Sequence, residues 1–243
     1  MFSKRYDTYV YETNKEIIEK NPNINFITEG QLTHGLDTQL CEDNGFGKEW
    51  SLAKPFDLAV IAVPTPMDKN TFIERDGMKI YACDTSIVDE AVSKVRAQVI
   101  LIKSTIEPGT TDMLCVKYQK RIVFSPEFMG EGSYHNTYEF HTKMETCPWI
   151  TLGGDEKDTK YVHDLMIPIV GPQKIWHFLN STEAEISKYM ENIYFGMKVD
   201  FANMIYDACG KAKVNWEKVR QAWGADTRVD IMHTSVFPDA RGF

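Results

Sequence analysis

Residues 57–63 read Asp-Leu-Ala-Val-Ile-Ala-Val, and Pro64 closes the run. The stretch is apolar at odd and even positions alike. A strand with one wet face alternates apolar with polar residues; a strand covered on both faces, as in a parallel sheet, does not. Three further stretches have the same character: Val99 to Ile102 before Lys103, Arg121 to Phe124 before Ser125, and Trp149 to Leu152 before Gly153-Gly154. Thr8 to Tyr11 is a fifth, weaker candidate. Helical patterns separate them. Asn14 to Asn21 follows the weak strand. Asp84 is placed to cap a helix that runs to about Val95, with Ile87, Val88, Ala91, Val92 and Val95 on one face. Thr110 to Tyr118 and residues 156–167, ahead of Pro168, complete the set. Strand, turn and helix repeated in this way predict an α/β fold built on a doubly wound parallel sheet.

The pattern changes at Thr182. Thr182 and Glu185 have capping-box spacing, and a long helix is predicted from there to about Cys209, with Gly210 as its stop. Ile186, Met190, Ile193, Met197, Phe201 and Ile205 recur at three- and four-residue steps along it, widened by Tyr189, Tyr194 and Tyr206. A helix of this length either joins two domains or packs against a second subunit. A shorter helix, Trp216 to Trp223, follows. The chain therefore divides into a sheet domain over residues 1–178 and a helical segment over residues 179–243.

Composition sets the outer bounds. Of 243 residues, 43% are hydrophobic and 12% aromatic, enough for a packed core. A formal net charge of −8 argues against nucleic acid as a partner. No apolar run approaches the ~20 residues that span a bilayer, and the opening MFSKRYDTYVYET contains no signal-peptide core, so a cytoplasmic location with no membrane partner is expected. The cysteines are Cys41, Cys83, Cys115, Cys147 and Cys209; an odd number without a C-x-x-C pair implies thiols rather than a disulfide framework or a zinc site.

Ligands of open α/β sheets bind beyond the carboxyl ends of the strands. Four strands here end in polar or turn-forming sequence: Val63-Pro64-Thr65-Pro66, Lys103-Ser104-Thr105, Ser125-Pro126-Glu127 and Gly153-Gly154. Glu127 and Glu131 lie four residues apart, and carboxylates so placed orient a water or a sugar hydroxyl. Glu185, Lys188 and Asn192 fall at i, i+3 and i+7 of the long helix; a Lys beside an Asn stabilises a developing oxyanion.

The ordered series A-V-P-T-P (62–66), K-S-T-x-x-x-G-T-T (103–111), S-P-E-F-x-x-E-G (125–132), I-T-L-G-G (150–154), T-x-A-E-x-x-K-Y-x-x-N (182–192) and D-T-R-V (226–229) resembles the UDP-glucose/GDP-mannose 6-dehydrogenases. The resemblance implies an incomplete Rossmann-like doubly wound parallel sheet, followed by a long central helix and a helical dimerisation segment. It implies NAD as cofactor, and Glu12 as the acid on the adenosine ribose. Val63, Pro64, Thr65, Ser104 and Thr105 would line the dinucleotide site, Thr105 and Glu127 would hold a catalytic water, and Glu131 would touch both cofactor and substrate. Glu127, Phe128, Met129, Glu131, Lys188, Asn192 and Arg228 would meet the nucleotide sugar, Arg228 across a homodimer. Lys188 and Asn192 would stabilise oxygen anions at the sugar C6. In the family two hydrides leave C6 for two NAD+, and a cysteine carries the thiohemiacetal and then the thioester that water hydrolyses. UDP-glucose is the expected substrate and GDP-mannose the alternative. A β-hydroxyacid dehydrogenase, which also joins such a sheet to a helix bearing Lys and Asn, fits the S-P-E-F-x-x-E-G run less well.

Two family features are not found. The family opens with a strand and a G-x-G-x-x-G turn that cradles pyrophosphate; this sequence has only Gly45-Phe-Gly47, in another context. The family continues from Arg241-Gly-Phe243 into a cysteine nucleophile, and none of the five cysteines here has that context. The expectation is a fragment or split subunit, completed by a complementing C-terminal piece, or else a non-catalytic binding or dimerisation module. A sheet lacking its first strand would expose unpaired backbone groups and be unstable alone.

Overall fold

A computed structural model describes residues 5–27, 29–34, 54–128 and 146–237. Contacts divide the chain into two compact units, one of Met1–Glu127 with Pro148–Glu185, the other of Phe128–Cys147 with Ile186–Phe243.

The first unit is organised by a five-stranded sheet. Its strands are β1 (Phe56–Ile61), β4 (Ala97–Ile102), β5 (Ile122–Phe124), β6 (Trp149–Gly153) and β7 (Ile175–Leu179), side by side in the order β1-β4-β5-β6-β7. All neighbours are parallel except β5 and β6, which meet antiparallel at Phe124 and Gly153. The run that opened the sequence reading is β1. It feeds α3 (Ser86–Lys94) and returns as β4; α4 (Thr110–Tyr118) then links β4 to β5, and α5 (Glu156–Val170) links β6 to β7. Val88, Val92 and Leu114 of α3 and α4 pack on one face of the sheet with Ile100, Ile102 and Phe124. Val162 and Met166 of α5 pack on the other with Val99, Leu101 and Val123. Two covered faces are why β4 from Val99 to Ile102 and all of β5 are apolar and buried at consecutive positions.

Several expectations change in detail. Thr8–Tyr11 is not a strand: Val10 makes one isolated parallel bridge with Phe26, around α1 (Lys15–Lys20), which Asn14 caps by accepting the Glu16 N–H. The N-cap of α3 is Thr85, without a side-chain bond, while Asp84 accepts the Ser86 N–H one step earlier. Helix α5 continues through Pro168, which a helix tolerates because the proline lies in the exposed last turn and Gly171 closes the helix by donating to the Ile167 carbonyl.

Besides the short helix at Glu29–His34, two features lay outside the reading. One is the β7 edge strand. The other is a hairpin of β2 (Met67–Arg75) and β3 (Met78–Cys83) turning at Asp76-Gly77, both at positive φ, which is the geometry a two-residue hairpin loop demands. A short helix, α2 (Glu29–His34), precedes the sheet; Lys94 bridges to its Glu29 at 2.6 Å.

Helix α6 runs Ser181–Ala212 and α7 runs Trp216–Gly224. The capping box on α6 is set two positions earlier than expected: Asn180 Oδ1 accepts the Glu183 N–H and Glu183 Oε2 accepts the Asn180 N–H. Glu185 is thereby free of capping duty. Gly210 does not stop the helix but lies inside its last turn.

The second glycine-bearing motif has a packing role. A Cβ on Gly153 would stand 2.4 Å from the Ala184 side chain and 3.0 Å from the Asn180 carbonyl, so β6 and the start of α6 approach as closely as they do only with glycine there. We expect Gly153→Ala to cost about 1–3 kcal/mol by overpacking, read as a lower urea midpoint with an unchanged m value.

Candidate functional site at the carboxyl edge of the sheet

The carboxyl ends of β1, β4 and β5 are cross-linked by their own polar residues. Ser104 Oγ accepts the Val63 N–H at 2.8 Å and donates to the Val63 carbonyl at 2.7 Å, so one hydroxyl satisfies both backbone groups of the residue before Pro64. The Lys103 N–H donates to the Ile61 carbonyl, and the Ser125 N–H to the Ile102 carbonyl. The Lys103 ammonium, 12% exposed, lies 3.3 Å from the Pro126 carbonyl and 3.4 Å from the Glu127 carboxylate. Val63, Pro64, Thr65, Ser104, Thr105 and Glu127 therefore do lie along one sheet edge, as the strand-end reading required. Lys103, quoted there only as part of a motif, is the residue that neutralises Glu127.

Cys83 brings the hairpin back to this edge. Its thiol is directed at the Thr65 carbonyl, at 3.6 Å, and the Thr105 carbonyl, at 4.0 Å, and its N–H donates to Glu107. Burial, and then the charges of Glu107 and Asp84, push the thiol above its ordinary pKa. Burial likewise raises Cys115. Neither is a thiolate at neutral pH, so neither is primed as a nucleophile. Glu12 sits at the end of the extended N-terminal segment, where its Oε1 accepts the N–H groups of Thr13 and Asn14, each at 2.8 Å. A carboxylate pinned by its own turn suits a ribose hydroxyl donor.

Glu185 does something the sequence reading did not foresee. Fully buried, it takes the N–H of Gly109 at 2.6 Å, the N–H of Thr111 at 2.8 Å and the Thr111 hydroxyl at 2.6 Å. Helix α4 has no side-chain cap of its own, since its N-cap is Gly109 at φ 93°. The carboxylate of α6 is the missing cap, and it sits where the helix dipole favours an anion. Ser181, one turn earlier, donates to Asp112 in the same α4 turn.

In the second unit, Lys188 is paired with Glu191 at 3.0 Å and its ammonium lies 5.1 Å from the centre of the Phe128 ring. Asn192 follows four residues later on α6, half-buried. The Arg228 guanidinium, 89% exposed, is held by Asp226, whose carboxyl it keeps below the usual range. The backbone around it is anchored by buried cations: Arg220 donates to Thr234 and pairs with Glu217, and Lys198 donates to the Asp230 carbonyl. Met129 and Glu131 lie outside the described residues, as do Cys41, Gly45 and residues 241–243. Among the described residues no group of three or more His, Cys, Asp or Glu could hold a metal ion, and no helix is long and apolar enough to cross a membrane.

Open α/β sheets bind ligands beyond the carboxyl ends of their strands, and here that edge carries hydroxyls and a carboxylate. Residues 8–165 match the NAD binding domain of the UDP-glucose/GDP-mannose dehydrogenase family, and residues 182–239 match its central domain. The chain belongs to this family, and NAD is the cofactor its N-terminal domain indicates. A UDP-glucose 6-dehydrogenase of Campylobacter jejuni is 29% identical over 71% of this chain and 42% of its own. That of Rickettsia prowazekii is 25% identical over 92% of this chain and 49% of its own. A UDP-glucose dehydrogenase structure from Pyrobaculum islandicum superposes with a TM-score of 0.68 at 19% identity, over 96% of this chain and 54% of that one, which shows the fold. The chain spans about half the length of the curated relatives it matches.

Glu185→Ala strands three buried donors at the start of α4. The expected loss is about 3–5 kcal/mol, seen as a collapse of the urea midpoint; Glu185→Gln, which keeps an acceptor, loses about 1–3 kcal/mol.

Proposed function

We propose that this chain supplies the cofactor site and part of the substrate site of an NAD-dependent nucleotide-sugar dehydrogenase that oxidises UDP-glucose to UDP-glucuronate at C6. The observation that carries the reading is the carboxyl edge itself: the Val63–Thr65 and Ser104-Thr105 backbones and the Lys103–Glu127 pair stand together within the region that matches the family's NAD binding domain.

NAD+, when bound, accepts hydride from the sugar carbon. Glu12 takes the ribose hydroxyls, and Thr65 and Thr105 line the dinucleotide. Glu127, with Thr105, orients the water that releases the acid product and accepts its proton; that water supplies the second carboxylate oxygen and the thiol leaves. Lys188 and Asn192 face the oxygen on C6, Phe128, Met129 and Glu131 complete the sugar contacts, and Arg228 takes the nucleotide phosphates. Cys83 and Cys115, whose thiols burial pushes above their ordinary pKa, are not suited to be the nucleophile. GDP-mannose is the alternative substrate. The buried or half-buried thiols suit a reducing cytoplasm.

A specific observation also favours a homodimer. Met190, Ile193, Met197, Phe201 and Met204 repeat along α6 at steps of three and four and are 42–66% exposed, an apolar stripe that a second copy of the same helix would cover.

The activity test is NADH production at 340 nm from NAD+ and UDP-glucose. The chain alone should be silent; addition of a fragment carrying the family's cysteine and C-terminal domain should yield two NADH per UDP-glucuronate. Silence from a demonstrably folded mixture contradicts the proposal and leaves a binding module. For the dimer, Met190→Glu combined with Met197→Glu should raise the dissociation constant at least about a hundredfold in sedimentation equilibrium.

A further inference from the structure

Cys83, the last residue of β3, reaches both of the turns that follow β1 and β4. Its N–H donates to the Glu107 carboxylate at 2.7 Å, which ties it to the loop after β4. Its thiol donates to the Thr65 carbonyl at 3.6 Å, which ties it to the turn after β1, and lies 4.0 Å from the Thr105 carbonyl. The next residue, Asp84, gives its N–H to the Pro66 carbonyl at 2.8 Å. The base of the β2–β3 hairpin is thus fastened across the carboxyl edge, although the hairpin is exposed along most of both strands.

The two turns gain from an outside tie. Ser104 holds the Val63 end of the first, but Thr65 stands between Pro64 and Pro66, neither of which has an N–H to fasten it. The second is pegged by Ile106, which is fully buried, with Thr105 half-buried before it and Glu107 exposed after it. Burial, and then the charges of Glu107 and Asp84, hold the Cys83 thiol above its ordinary pKa, so its S–H remains a donor at neutral pH.

We infer, on the reading that Thr65 and Thr105 line the dinucleotide, that Cys83 and Glu107 are positioning residues for the cofactor: they latch the hairpin across both turns and fix the spacing of the Thr65 and Thr105 backbones before NAD+ arrives. Apparent affinity falls with the fraction of chains in the binding-competent arrangement, so an unlatched edge binds NAD+ more weakly without either latch group touching it. Electrostatics alone has the opposite sign. NAD+ carries an anionic pyrophosphate, and removing a carboxylate beside its site would tighten binding.

The test is the NAD+ dissociation constant of the full chain by titration calorimetry, with amide spectra to follow the fold of each variant. Glu107→Ala should bind roughly tenfold more weakly than the wild type. Glu107→Gln, which keeps an acceptor for the Cys83 N–H but no charge, should bind within about twofold of the wild type. Cys83→Ala should weaken binding roughly three- to tenfold, and Cys83→Ser, which keeps a donor, should weaken it less. In the free chain both alanine variants should move the Thr65 and Thr105 amides and leave the rest of the spectrum in place. Wild-type or tighter affinity in the folded alanine variants overturns the latch. Equal weakening by Glu107→Ala and Glu107→Gln also overturns it, because the charge itself would then meet the ligand. The Cys83 pair decides by the same criteria if Glu107→Ala does not fold. A folded wild-type chain that takes up no NAD+ overturns the cofactor edge together with the latch, whereas variants that match a binding wild type overturn the latch alone.

Discussion

One carboxylate at the head of a helix organises much of this molecule. Glu185 lies in the first turns of α6, yet its carboxylate accepts three bonds from the first turn of α4, where Gly109 and Thr111 present donors that no local side chain caps. A buried anion with three donors and a helix dipole behind it is stable; the same anion without them is not. The contact therefore fixes both partners. It gives α4 its start, just after the Thr105 edge, and it sets the rotation of the first turns of α6. Gly153 against Ala184 fixes the distance of that docking, and Ser181 on Asp112 repeats it one turn earlier. Lys188 and Asn192 come three and seven residues further along the same helix.

The carboxyl edge of the sheet is stabilised by the same economy. Three of the polar groups at the strand ends are spent on neighbouring segments: Ser104 on Val63, Lys103 on Glu127, Cys83 on Thr65. An edge whose side chains are already held loses little conformational entropy on binding, which is how a rigid scaffold presents a site. Glu127 is held at that edge by its ion pair with Lys103.

Most of the fold was legible because strand burial leaves a continuous apolar signal. The runs at 57–63, 99–102 and 149–152 appear as β1, β4 and β6 within a residue or two, and α4 falls on the expected residues. The failures have physical causes. The hairpin of β2 and β3 is largely exposed on both strands, so its sign was the Asp76-Gly77 turn rather than a burial pattern. The capping signal at Thr182 and Glu185 was outcompeted by Asn180 and Glu183, because Glu185 has stronger partners on another helix. Of the site, the strand-end hydroxyls and Glu127 could be placed from sequence, since topology alone puts them on one edge. Lys103 and Glu191 could not, because their pairings depend on which side chain lies across from them.

The central claim is that the carboxyl edge of the sheet receives NAD+. The direct measurement is backbone amide chemical-shift mapping of the isotope-labelled chain on titration with NAD+. The account predicts shifts concentrated at Val63, Thr65, Ser104 and Thr105, at the ends of β1 and β4, and at the turn after Glu12. Shifts confined to α7 and the segment around Arg228, or no shifts from a folded chain at millimolar NAD+, would contradict it.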